Sequence, residues 1–326
     1  MKKKFLLSLS TLLITFFQTS SIYSASVDEK VNEILSPVSN LVAGTVFYSL
    51  SIGEFSFPLI LAWLIIASLF CTFYFGFINI KGFSTALSFL TSKKQENNAP
   101  GEVSHKQALW TATAATVGLG NIAGVAIAVS LGGPGATFWM ILAGFLGMSL
   151  KFCECTLGVK YRVINADGSV SGGPMYYLSR GLKEIGLNRL GKFLAIMFSI
   201  CCIGGALGGG NMFQANQSYQ QFVSITGGKE SFFYNNAWLY GLVLAIILGA
   251  VIIGGIKSIA KVTEKLVPFM AAIYILCALI IIFINIDMVG NAIKLIFIGA
   301  FTGEGIAGGL IGVLIQGFKR AAFSNE

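Results

Sequence analysis

The apolar residues of this chain fall in long blocks rather than in narrow helical stripes or strict alternation, and the charged residues gather in the short segments between them. Blocks at about 57–80, 108–131, 137–158, 193–222, 238–256 and 266–286 are each long enough, at about 1.5 Å per residue, to cross a bilayer as helix. Two of them are interrupted. Within 108–131 runs Thr116-Val117-Gly118-Leu119-Gly120-Asn121, where two glycines and an amide near the midpoint disfavour continuous helix and predict a broken span. Such a break strands N–H and C=O groups that hydrocarbon cannot satisfy, so it must face protein, a water-filled cavity or a ligand. The same glycines also suit a close-packing face, and the pattern alone leaves both readings open.

The second interruption lies in 193–222. Gly204 and Gly208, and Gly205 and Gly209, recur at four-residue spacing and predict a smooth packing strip. Directly after it, Asn211, Gln214, Asn216 and Gln217 put amides where a span should still be apolar. Burying an amide without a partner costs on the order of 1–3 kcal/mol, so these groups require another helix, water or a substrate. Gln214 and Gln217, three apart, share a face.

The segments between blocks set an expected topology. Residues 1–26 open with Lys2, Lys3 and Lys4, continue through an apolar run and end in small residues, which predicts a signal peptide cleaved after Ser26; an uncleaved first helix is the alternative. Residues 27–56 carry Asp28, Glu29, Glu33 and Glu54 against Lys30 and are expected to lie outside, along the surface. A first span from Phe57 to Ile80 leads into a polar cytoplasmic loop ending near Lys106. Ser104 followed by Gln107 predicts a capping box opening the broken span, with His105 a solvated residue of that first turn. Gly132-Gly133-Pro134-Gly135 is a turn, and the next span closes with Lys151, Lys160 and Arg162 inside, Glu154 pairing with Lys151 on one helix face. Asp167-Gly168 and Ser171-Gly172-Gly173-Pro174 are turns, and the basic segment from Met175 to Leu190 is expected at the cytoplasmic interface. Gly227, Gly228, Asn235 and Asn236 form an exterior loop; Lys257, Lys261, Glu264 and Lys265 join the next two spans; Asp287 and Asn291 turn outside. Lys and Arg thus fall on one side, as the positive-inside rule requires.

Composition narrows the class. Of the 326 residues 55% are hydrophobic and 11% charged, with a mean hydropathy of +0.78, which leaves a soluble domain nowhere to hide its apolar surface and predicts an all-α polytopic membrane protein. The net charge of +8 comes from short inter-block clusters and does not indicate nucleic acid. Six cysteines without a CxxC pair, in or at the ends of apolar runs, and a single histidine argue against a structural zinc site. The absence of HExxH and GxSxG argues against a membrane enzyme.

Linked motifs point further. Gly101-Glu102-Val103-Ser104, Gln107-Ala108-Leu109, Thr116 through Ala126, Gly132 through Ala136, Phe138-Trp139-Met140, Gly147-Met148, Lys151-Phe152, Gly172 through Tyr177, and Gly210 through Asn216 together resemble the alanine or glycine:cation symporter family of sodium-coupled amino-acid transporters. The resemblance covers nearly everything after the signal sequence. It implies a leucine-transporter-like fold of two inverted five-helix repeats, each with a broken first helix. On this chain 57–104 is then an extra transmembrane helix and its loop, 105–286 the complete first repeat, and 287–326 a second repeat only begun, so the chain is expected to be truncated.

The function implied is sodium-coupled symport of alanine or glycine into the cytoplasm across the cell (inner) membrane, with no cofactor and sodium as coupling ion. N–H groups near Gly118 and Gly120 would hold the substrate carboxylate, because the positive end of a half-helix points there, and Asn121 would add a neutral partner. Carbonyls near Ala115 and Thr116 would help ligate sodium; Gln214 and Asn216 would complete the polar wall, and Phe213 would limit side-chain size. The alternative is a truncated, non-transporting membrane fragment, inactive or in need of a second polypeptide.

Overall fold

The structure is a computed structural model that describes residues 33, 36–37, 40–41, 44–46, 48–52, 55–91, 101–302 and 317. The expected signal peptide and most of 303–326 therefore lie outside the described residues. The chain divides into two units, Met1–Trp63 and Leu64–Glu326.

In the first unit, strands β1 (Ser49–Ile52) and β2 (Phe55–Pro58) pair antiparallel, and the Leu59 N–H donates to the Tyr48 carbonyl at 2.9 Å as helix α1 (Leu59–Tyr74) begins. The stretch expected to lie outside thus ends in a hairpin, and the fold is mostly helical rather than purely so.

The expected single span from Phe57 to Ile80 is not one helix. Its α1 is 16 residues, about 24 Å, short of a roughly 30 Å hydrocarbon core, and it ends where Gly76 and Phe77 turn left-handed at φ 58° and 61°. After the turn, α2 (Ile78–Lys81) takes up the end of the expected span, and α3 (Phe83–Thr91) occupies chain that reads as polar loop. Phe83 and Leu87, four apart, give α3 an apolar side that the loop reading undervalued.

Helices α4 (His105–Thr116) and α5 (Leu119–Gly132) form the broken span. Ser104 Oγ accepts from the Gln107 N–H at 3.2 Å while Gln107 Oε1 accepts from the Ser104 N–H at 3.1 Å, so the predicted capping box is present. After a turn at Gly133, α6 (Gly135–Lys160) returns, with Lys151 Nζ 2.9 Å from Glu154 Oε2 as expected. A short hairpin of β3 (Val163–Ile164) and β4 (Val170–Ser171) turns at Asp167-Gly168 and leads into α7 (Pro174–Glu184) and α8 (Asn188–Gly205).

Beyond α8 the chain continues as a π-helical turn, Ala206–Met212, before α9 (Phe213–Ile225). At Gly204 and Gly205 the expected close packing is not present: a Cβ there would meet nothing within 4 Å. What the glycines supply at this place is backbone freedom, and the hydrogen-bond ladder widens among them.

Helices α10 (Ala237–Ile252), α11 (Gly255–Ile284) and α12 (Ile286–Phe301) follow. Lys257, Lys261, Glu264 and Lys265 belong to the first turns of α11 rather than to a loop, and Asp287 and Asn291 belong to α12, which begins after a one-residue break at Asn285.

Small residues hold this second unit together. Gly135 meets Gly299 so closely that a Cβ on Gly135 would overlap the Gly299 carbonyl carbon at 2.2 Å; only glycine admits that approach of α6 to α12. Ala128, Ala136 and Ala300 are buried alongside, and Trp139 Nε1 donates to the Ala300 carbonyl at 3.2 Å. Large apolar side chains instead face outward along α8, α10 and α11, Ile252 and Ile284 among them. Three stretches among the described residues are long and apolar enough to span a membrane: His105–Gly132, Gly135–Lys160 and Gly255–Ile284.

Candidate functional site

The site is built on the interruption between α4 and α5. Val117 and Gly118 leave the helical region for extended backbone, with φ/ψ of −81°/99° and −143°/−160°. The ladder stops with Val117 N–H on the Thr113 carbonyl at 2.8 Å and restarts with Asn121 N–H on the Gly118 carbonyl at 3.2 Å. A helix start leaves its first N–H groups without intrahelical acceptors and a helix end leaves its last carbonyls without donors, so the interruption holds both kinds of group within a few residues. The Gly118 N–H is held only loosely, by Asn121 Oδ1 at 3.4 Å, in one half of a capping box.

Around this break the sequence-predicted residues sort as follows. Thr116 Oγ1 donates back to the Ala112 carbonyl at 2.9 Å, which leaves the hydroxyl lone pairs available, and Ala115 and Thr116 supply carbonyls of the last turn of α4. Gly120 stands in the first turn of α5. From the other side of the sequence comes Gln214, at the start of α9: its Nε2 lies 3.0 Å from where a Cβ on Gly118 would sit. Neither Gln214 nor the Asn121 Nδ2 makes a hydrogen bond among the described residues, so two amides meet an open backbone with donor and acceptor capacity unused.

The structure does not bring every candidate to the break. Asn216 is exposed and its Oδ1 accepts from Gln220 Nε2 at 2.8 Å, one turn along α9. Phe213 is likewise exposed.

Two pairs that sequence spacing did not suggest fix the far end of α4. Gln107 Nε2 donates to Glu264 Oε2 at 3.1 Å, and the hydroxyls of Thr111 and Thr263 lie 3.0 Å apart, so α4 and α11 are joined by a polar seam. Nearby, Glu102 Oε1 accepts from the Val170 N–H at 2.7 Å, tying the approach to α4 to the β3–β4 hairpin. Among the described residues no group of His, Cys, Asp and Glu is arranged to hold a metal ion.

An interrupted apolar span with unpaired amides against it, on a scaffold of further apolar helices, belongs to a multi-pass membrane protein. Residues 42–326 match the model of the sodium:alanine symporter family, and the chain belongs to that family, one of transporters rather than enzymes. It is 45% identical over 270 residues to the sodium/alanine symporter AgcS of Methanococcus maripaludis, an alignment covering 82% of this chain and 57% of that protein. It is 36% identical over 259 residues to the amino-acid carrier protein AlsT of Bacillus subtilis, covering 79% and 52%, and 34% identical over 269 residues to the probable sodium/glutamine symporter GlnT of the same organism, covering 82% and 53%. The chain spans about half the length of these curated relatives. The family match itself runs to residue 326 and lends the expected truncation no support.

Proposed function

We propose that these residues form part of a sodium-coupled symporter that carries a small neutral amino acid, alanine or glycine, into the cytoplasm across the cell (inner) membrane. The observation that carries the reading is the break at Val117–Gly118 with the Gln214 amide, free of hydrogen bonds among the described residues, lying against it. Family membership and the relative named for sodium and alanine support the same chemistry. The glutamine named for GlnT makes substrate size the finer question.

On this reading the N–H groups at Gly118 and Gly120 receive the substrate carboxylate, where the α5 dipole favours negative charge, and Asn121 releases the Gly118 N–H as it turns toward the ligand. Sodium takes hard oxygens from Ala115, Thr116 and the Thr116 hydroxyl. Gln214 meets the polar end of the substrate, with Phe213 just before it and Asn216 just after it on α9 as the outer wall. The 105–286 segment acts as the first of two inverted repeats, preceded by an extra helix within 57–104 and followed by the start of a second repeat over 287–326.

The test is uptake of radiolabelled alanine into proteoliposomes under an inward sodium gradient, by the 326 residues and by a polypeptide of the relatives' full length. In the active form, Asn121→Leu and Gln214→Leu should each lower kcat/KM at least about tenfold, roughly 1.4 kcal/mol of lost interaction. Uptake that ignores both substitutions, or persists with potassium in place of sodium, would sink the proposal.

A further inference from the structure

The corner between α7 and α8 is rigid and cationic. At Gly191 the helices touch: a Cβ there would lie 2.7 Å from the Leu178 carbonyl oxygen and 3.0 Å from Leu182 Cβ, so glycine sets the crossing. Across this crossing, Arg180 and Lys183 sit three apart on α7, and Arg189 and Lys192 three apart on α8. All four are exposed, and none makes an ion pair or hydrogen bond among the described residues. Like charges at that spacing repel, so the arrangement is unfavourable unless something supplies counter-charge.

No acid forms an ion pair with these four among the described residues, although Glu184 stands on α7 itself, so the corner carries a net excess of cations. Between residues 101 and 200 Glu102 accepts from Val170, Glu154 pairs with Lys151, Asp167 accepts from Ser169, and Glu184 accepts from the Tyr161 hydroxyl at 2.7 Å. Beside the four cations, Ile185, Leu187, Leu190 and Phe193 are exposed apolar side chains. An excess of cations beside exposed apolar groups matches an acidic lipid headgroup with acyl chains below it, where each cation near an anionic surface is worth about a fivefold change in affinity.

We propose that the α7–α8 corner is a binding surface for anionic phospholipid, with Arg180, Lys183, Arg189 and Lys192 holding the headgroup phosphates and Ile185, Leu187, Leu190 and Phe193 meeting the acyl region. This is independent of the transport reading and stands or falls without it.

Native mass spectrometry of the whole chain, released from detergent with equimolar phosphatidylglycerol and phosphatidylcholine, tests it. Phosphatidylglycerol should be retained about tenfold or more over phosphatidylcholine at low salt. The preference should fall toward parity at molar salt and in Arg180→Gln/Lys183→Gln/Arg189→Gln/Lys192→Gln. Because a quadruple change can cost folding, Arg189→Gln alone is measured too and should reduce the preference severalfold while helix content by circular dichroism stays unchanged. Equal retention of the two lipids by the unaltered chain overturns the proposal. So does full preference in the Gln variants, or an equal loss on neutralising Lys257, Lys261 and Lys265, which would make the attraction a property of overall charge.

Discussion

A methyl group at Gly118 is admitted only if the Gln214 amide moves, because its Nε2 is 3.0 Å from the position the new carbon would take. The far end of a flexible side chain yields at little cost, so Gly118→Ala should fold normally yet raise KM for alanine in the active form; an unchanged KM would separate Gln214 from the substrate. Asp167 offers a different test. The Ser169 hydroxyl and N–H donate to its Oδ1 at 2.6 and 3.0 Å, and these bonds hold the carboxyl below the usual carboxylate range. Its folded value being depressed, the stabilisation is complete above about pH 4 and is lost as the pH falls through the folded value. Hydrogen exchange across 165–169 should therefore be flat from neutral pH to about 5, after correction for intrinsic rates, and lose protection only in acid. Asp167→Asn should abolish the step. At this scale the sequence was most informative where partners are a few residues apart: Ser104 with Gln107, and Lys151 with Glu154, were both readable from spacing.

Between elements, the α4–α11 seam is the clearest case of what spacing does not reveal. Gln107 uses one end of its amide to close the α4 cap and the other to meet Glu264, 157 residues away, and no local pattern pairs those two positions. Gln107→Leu and Glu264→Leu should each destabilise the detergent-solubilised protein by about 1 kcal/mol, while the double variant should lose clearly less than their sum, the excess being the coupling. Strict additivity in thermal unfolding would show the contact to be incidental. The apolar helices and the break between α4 and α5 were legible because block length and paired glycines act locally. The β1–β2 hairpin and α3 were not, since short elements depend on what they pack against rather than on their own pattern.

For the molecule as a whole, the distribution of cations predicts an orientation: Arg180 on α7 and Asn235 before α10 should lie on opposite sides of the membrane. Single cysteines at these two exposed positions, in a background with the native cysteines replaced, should react with a membrane-impermeant maleimide from opposite faces of sealed vesicles; labelling of both from one face would overturn the arrangement. The π-helical turn at Ala206–Met212 carries one more consequence. Such a turn holds an extra residue relative to ordinary helix, and each helical residue subtends about 100°. Excising one residue from it and letting the ladder close would swing everything downstream by roughly that angle and carry Gln214 off its bearing on Gly118, with no side chain of the site altered. The bearing of Gln214 on Gly118 thus depends on the number of residues in this stretch, and not only on which residues they are.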